Sequence, residues 1–203
     1  MRAIFAYSFA DGKSYQITDG MSDAISPAFD ASGKYLYFLA STNYGPNVGW
    51  LEMSSEERPV RRSIYLAVLS ATEPSPLLPE AGDEAGPPPA PPASAAAAAG
   101  GAARPKVDST TRIDVAGMSQ RVLSLPIPPG DFASLTGGPA GTIFYTEPMP
   151  GAAFGARRVN RYVLKERAAT PFIEGVRSYS LSADRKKLLY QAGGGEDGGN
   201  WGV

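Results

Sequence analysis

A ten-residue pattern occurs twice in this chain without a gap. Phe29-Asp30-Ala31-Ser32-Gly33-Lys34-Tyr35-Leu36-Tyr37-Phe38 is matched by Leu181-Ser182-Ala183-Asp184-Arg185-Lys186-Lys187-Leu188-Leu189-Tyr190. Each copy holds an apolar residue, a four-residue polar turn, a lysine and an apolar strand, which is the signature of a β-hairpin. The approaches also correspond, Ile17-Thr18-Asp19-Gly20-Met21 in the first case and Phe172-Ile173-Glu174-Gly175-Val176 in the second. The copies lie 152 positions apart. Setting aside an insertion of about 24 residues leaves near 128, or about three steps of roughly 40–45 residues, the size of one four-stranded propeller blade.

The rest of the chain agrees with that fold class. Asp11-Gly12 separates Phe5-Ala6-Tyr7-Ser8-Phe9 from Tyr15-Gln16-Ile17, and Ala116-Gly117 separates Arg112-Ile113-Asp114-Val115 from Arg121-Val122-Leu123-Ser124-Leu125. Further strands are expected at 63–69, 142–146 and 160–164, while almost nothing follows the helical period. Strands this short cannot stand alone, so a sandwich, barrel or propeller is required, and the internal repeat selects the propeller. The expected fold is all-β: a partial β-propeller of four-stranded antiparallel blades, with one disordered Ala/Pro-rich insertion. Gly33 supplies the positive φ that its turn needs, and Arg185 at the matching place points to a different turn type or a looser blade.

Gly86 to Ala103 consists of 5 Pro, 9 Ala, 3 Gly and 1 Ser, leaving no side chain large enough to pack. Such a stretch is a linker or disordered insertion. The expected organisation is therefore propeller blades over 1–81, a low-complexity Ala/Pro/Gly linker over 82–105, and further blades of the same domain over 106–203. A chain that opens in mid-strand and closes at Asn200-Trp201-Gly202-Val203, where another strand begins, reads as a stretch of a longer one.

Two missing residue types exclude most catalytic designs. With no His and no Cys, the chain cannot form a Ser-His pair, a His-metal site, a thiolate zinc site or a cysteine nucleophile. No catalytic, cofactor-binding or metal-binding residue is assigned, and no cofactor is expected. The net charge of −1 creates no long-range field, so neither nucleic acid nor a membrane is an expected partner. No apolar run reaches the roughly 18 residues of a membrane-spanning helix.

The polar motifs have plain readings. Ser14 in Gly12-Lys13-Ser14 lacks the first glycine of a phosphate loop, because position 7 is tyrosine, and it belongs to a hairpin. Ser119 lacks the second glycine of a nucleophile elbow and is a turn serine. Asp30 with Ser32, and Glu196 with Asp197, do not supply the alternating ligands of a calcium loop and are turn caps. Glu56, Glu57, Arg58, Arg61 and Arg62 form a solvated rim, and Arg157, Arg158 and Arg161 read as basic residues guarding a strand edge. The stretch from Ser41 to Arg58 is long for a loop in a compact domain. It carries Tyr44 and Trp50, the candidate residues of an interaction loop, suited to blade packing or contact with a neighbouring domain.

Several stretches together resemble the tricorn-type serine peptidases. These are Ser8-Phe9-Ala10-Asp11-Gly12-Lys13-Ser14-Tyr15-Gln16-Ile17-Thr18-Asp19-Gly20 and Phe38-Leu39-Ala40-Ser41-Thr42-Asn43-Tyr44-Gly45-Pro46, followed by Arg112–Gly117 and Gln120–Pro126. The resemblance covers most of the chain except the Ala/Pro insertion. It implies two β-propellers in the parent chain ahead of a PDZ-like module and a catalytic region, with these residues inside the propeller part and none of them at the family's catalytic positions. The implied role is a non-catalytic segment that guides or filters peptides towards that region, with peptides and downstream domains of the parent chain as partners. Self-association and a cytoplasmic location are further expectations. A TolB-like propeller serving as a protein-binding scaffold, with no peptidase, is the alternative, since such propellers use a similar hairpin.

Overall fold

A computed structural model describes residues 1–42, 60–78, 111–149, 151, 156–192 and 200–203. The Ala/Pro insertion lies outside the described residues. Twelve strands occur among the described residues, with a single 3₁₀ turn at Met118–Arg121 and no α-helix. They are β1 (Phe5–Ser8), β2 (Lys13–Gln16), β3 (Asp23–Phe29), β4 (Tyr35–Ser41), β5 (Ser63–Val68), β6 (Val122–Ser124), β7 (Leu135–Gly137), β8 (Thr142–Pro148), β9 (Arg157–Val163), β10 (Ala168–Leu181), β11 (Leu188–Ala192) and β12 (Trp201–Gly202).

All pairings are antiparallel and follow chain order, in sheets β1-β2, β3-β4-β5-β6 and β7 to β12. The third sheet is two blades sharing one strand. Ala168 to Ile173 of β10 pairs with β9, and Ser178 to Leu181 pairs with β11, while Val176 meets Arg157 on one side and Ala192 on the other. The fold is thus a partial β-propeller: a two-strand blade, two four-strand blades, and a third meander of β10, β11 and β12. Segments 60–78 and 111–149 meet within one blade, because β5 pairs with β6.

The two repeat hairpins become β3–β4 and β10–β11. Among the described residues they are two blades apart rather than the three expected from length, with β7–β8 as the one hairpin of this kind between them. The surplus length falls in 43–59 and 79–110, outside the described residues, so chain length is a poor ruler for blade number here. Arg112 to Val115 is the other departure, since it is not a strand. Asp114 explains this: its N–H donates to Leu69 O, and its carboxylate accepts from Ala71 N and Arg112 Nε. These bonds, two of them to the end of β5 and the turn after it, hold the segment without a regular ladder.

Alternation along the strands distributes side chains between neighbouring cores. Tyr37 and Leu39 of β4, with Ile64 and Leu66 of β5, face Ile143, Tyr145 and Tyr162 of the next blade. The opposite parity, Leu36, Phe38 and Ala40 with Ala67, packs on Ile4 and Ile17 beside β1 and β2. A third core joins Phe144 and Val159 to Val176 and Leu188. β4 is therefore buried on both faces, which is why its sequence is an unbroken apolar run rather than an alternating one.

The inner side of the fold is tight. β3 and β7, the first strands of consecutive blades, lie against each other. A Cβ on Gly137 would sit 2.5 Å from Phe29 O, so only glycine permits this approach.

Candidate functional site

The residues singled out by sequence are scattered. Tyr44 and Trp50 lie outside the described residues, as do Glu56, Glu57, Arg58, Glu196 and Asp197. Ser14 is an exposed residue of β2 opposite Tyr7. Arg157, Arg158 and Arg161 do not guard an edge, because β9 is paired on both sides, by β8 and β10. Arg158 instead bonds Glu174 at 2.9 Å and Glu147 at 3.4 Å.

Asp30 does more than cap its own turn. It is 3 % exposed, accepts from Ser32 N at 2.8 Å, and accepts at 2.7 Å from Gly141 N in the equivalent turn of the next blade. Arg185 continues the chain of turns. Its guanidinium donates to Gly138 O at 3.1 Å and reaches Phe29 O at 3.4 Å. Arg185 also adopts φ 57°, against 72° for Gly33, so the two repeat turns share one geometry, and the expected change of turn type does not occur. Left-handed backbone at a non-glycine residue costs about 1–2 kcal/mol, and the two carbonyl contacts offset part of it.

Two tyrosines of the first inter-blade core are wholly buried, Tyr37 and Tyr162. Neither hydroxyl has a hydrogen-bond partner among the described residues. Burial pushes both phenols up from their ordinary value, and it pushes Tyr145 in the same core up to about 12. These groups stay neutral across physiological pH and have no acid–base role there.

At the opposite end of the blade Asp23 is a buried charge, 1 % exposed. It holds Arg2 through Nε at 2.9 Å and Nη2 at 2.6 Å, with Arg62 at 3.7 Å. The Arg2 hydrogen bonds keep its carboxyl below the usual aspartate value.

Beside this pair a cavity of about 280 Å³ opens between the β2–β3 connection and the β4–β6 face. Its floor is Ile17, Phe38, Ala40, Tyr65 and Val122, with the Phe38 and Tyr65 rings stacked at 5.6 Å. Asp19, Ser22, Thr42 and Ser119 supply polar groups around it, and Met21, 76 % exposed, stands at the mouth. Ser119 is thus brought to a cavity, as the sequence did not foretell, but the chain has no imidazole to activate it. Among the described residues no group of His, Cys, Asp or Glu could hold a metal ion. No helix among them is long and apolar enough to cross a membrane.

No family model matches the chain. Over 179 residues it is 27% identical to Tricorn protease homolog 1 of Streptomyces coelicolor, covering 81% of this chain and 16% of the relative. Over 190 residues it is 28% identical to the Tricorn protease homolog of Saccharolobus solfataricus, covering 88% of this chain and 15% of the relative. Among solved structures, the crystal structure of the tricorn protease superposes on 95% of this chain and 17% of its own, with a TM-score of 0.62 at 21% identity. That last likeness is one of fold. The chain spans about a sixth of the length of these relatives, and what it carries is a tricorn-like propeller region.

Proposed function

We propose that the chain is a non-catalytic propeller segment of a tricorn-like serine peptidase, acting in the cytoplasm, which guides or filters peptides towards a catalytic region outside these 203 residues. The observation that carries this reading is the inner side of the blades. β3 and the second half of β10 there leave Pro27, Phe29, Arg177, Ser178 and Ser180 exposed, while the second strands β4 and β8 are mostly buried. A surface mixing one aromatic ring, one cation and small hydroxyls holds extended peptides without reading one sequence, because backbone groups and apolar side chains both find partners. The relatives' names as proteases, and a chain with neither His nor Cys, support a segment that handles peptides without cutting them.

The test is photo-crosslinking. Benzoylphenylalanine placed at Phe29 is expected to capture fluorescent twelve-residue peptides, whereas the same group at Ser14 captures none. Equal labelling at both positions, or none at Phe29, would remove the inner side as a peptide path.

A further inference from the structure

The cavity beside β2 is built unlike the inner side of the blades, and its chemistry is selective. Its floor is apolar and aromatic, and Asp19 is the one charged residue among those lining it. Asp19 Oδ1 accepts from Met21 N at 2.9 Å, which fixes the carboxylate at the mouth. Among the described residues no cation is paired with Asp19. The neighbouring arginines, Arg2 and Arg62, are directed at Asp23 instead. An exposed carboxylate at the rim of an apolar floor suits one kind of group, a cation carried on an aliphatic stem.

We propose that this cavity is a subsite for a basic side chain of an extended peptide, arginine or lysine, with the aliphatic stem against Ile17, Ala40 and Val122 and the cation at Asp19. The side chain divides as the cavity does, apolar along its stem and charged at its tip. Acidic residues are disfavoured by the same carboxylate, and a purely aliphatic chain gains the floor but not the rim. The inference rests on the peptide-handling role proposed above and adds to it a preference in what is retained.

Methyl NMR of the full chain tests it, with acetylated and amidated tripeptides Ala-Arg-Ala, Ala-norleucine-Ala and Ala-Glu-Ala as probes. The arginine peptide is expected to shift the Ile17, Ala40 and Val122 methyls, and the norleucine peptide to do so about threefold to fivefold more weakly, the scale of one exposed ion pair. The glutamate peptide is expected to leave them unmoved. Asp19→Asn, at an exposed rim position, should abolish the arginine preference while keeping the weaker apolar binding. Ser119→Trp should close the mouth and remove the responses to both the arginine and the norleucine peptide, with the Leu66 methyls reporting that the core is intact. Equal shifts from the arginine and glutamate peptides, or an unchanged preference in Asp19→Asn, would overturn the proposal. Longer peptides that bind without moving these methyls would remove the subsite and leave the guiding role standing, whereas no response anywhere to any peptide would remove both.

Discussion

β4 and β11 are second strands of hairpins written in the same pattern of polar turn, lysine and apolar run, yet they occupy different environments. β4 is buried at six of its seven residues, whereas β11 buries only Leu188 and leaves Leu189 exposed at 41 %. The hairpin pattern specifies the strand and its turn; burial is specified by what packs on each face. β4 lies between two inter-blade cores, and β11 has one core on one side. Period-two alternation turns Leu188 and Tyr190 inward and only Leu189 outward.

The sharpest way to break this comparison is a pair of matched truncations. Leu66→Ala, in the core shared by two full blades, is expected to cost about 2–5 kcal/mol, and Leu189→Ala less than about 0.5 kcal/mol. Urea unfolding followed by far-ultraviolet circular dichroism measures both, and similar costs would mean that the two strands are equally packed. The outer face of β1 should show the converse behaviour. Phe5 and Tyr7 are exposed at 59 % and 57 % there, an apolar surface that favours self-association. Replacing both with lysine should lower the weight-average sedimentation coefficient at high protein concentration while leaving the melting temperature nearly unchanged. A monomer that is indifferent to the change would contradict that.

A smaller effect separates the two ends of the central blade by pH. Because Arg2 depresses the Asp23 carboxyl in the folded state, Asp23 contributes stability that is fully present above its ordinary value near 3.8 and is lost as pH falls through the lowered value. Asp23→Asn should therefore reduce the loss of stability between about pH 5 and pH 2. An acid-unfolding curve of unchanged shape would show that the pair is not formed. The smallest expected effect lies in the turns. Gly33→Ala places a Cβ at φ 72° and 3.0 Å from Thr111 Oγ1 and should cost about 1 kcal/mol. Arg185→Gly relieves backbone strain but removes the contacts to Gly138 O and Phe29 O, so its net change should stay within about 1 kcal/mol. A larger loss would make the guanidinium a principal tie between blades.

The sequence was readable where local chemistry and burial coincide. Asp30 to Gly33 followed by the apolar run from Tyr35 announces β3–β4, since a two-faced buried strand needs no alternation to be seen. β7 was not foreseen, because Leu135-Thr136-Gly137-Gly138 reads as a loop and Gly137 is there to let β7 approach Phe29 O. The first half of β10 was missed for another reason. Ala168 to Phe172 is exposed and includes Pro171, so it lacks the apolar signal of a buried strand. The cavity was the least legible feature. Its lining runs from Ile17 to Val122 along the chain, and no local motif announces residues gathered from a connection, three strands and a 3₁₀ turn.

The account rests on full blades that are covered on both faces and flanking strands that are covered on one, and amide hydrogen exchange compares them in a single experiment. Amides of β4, β5, β8 and β9, with Leu66 and Tyr162 as reporters, are expected to exchange last and together, well after those of β1–β2 and β11–β12. Uniform protection across all twelve strands, or slower exchange in β1–β2 than in β4–β5, would contradict the stacked-blade arrangement.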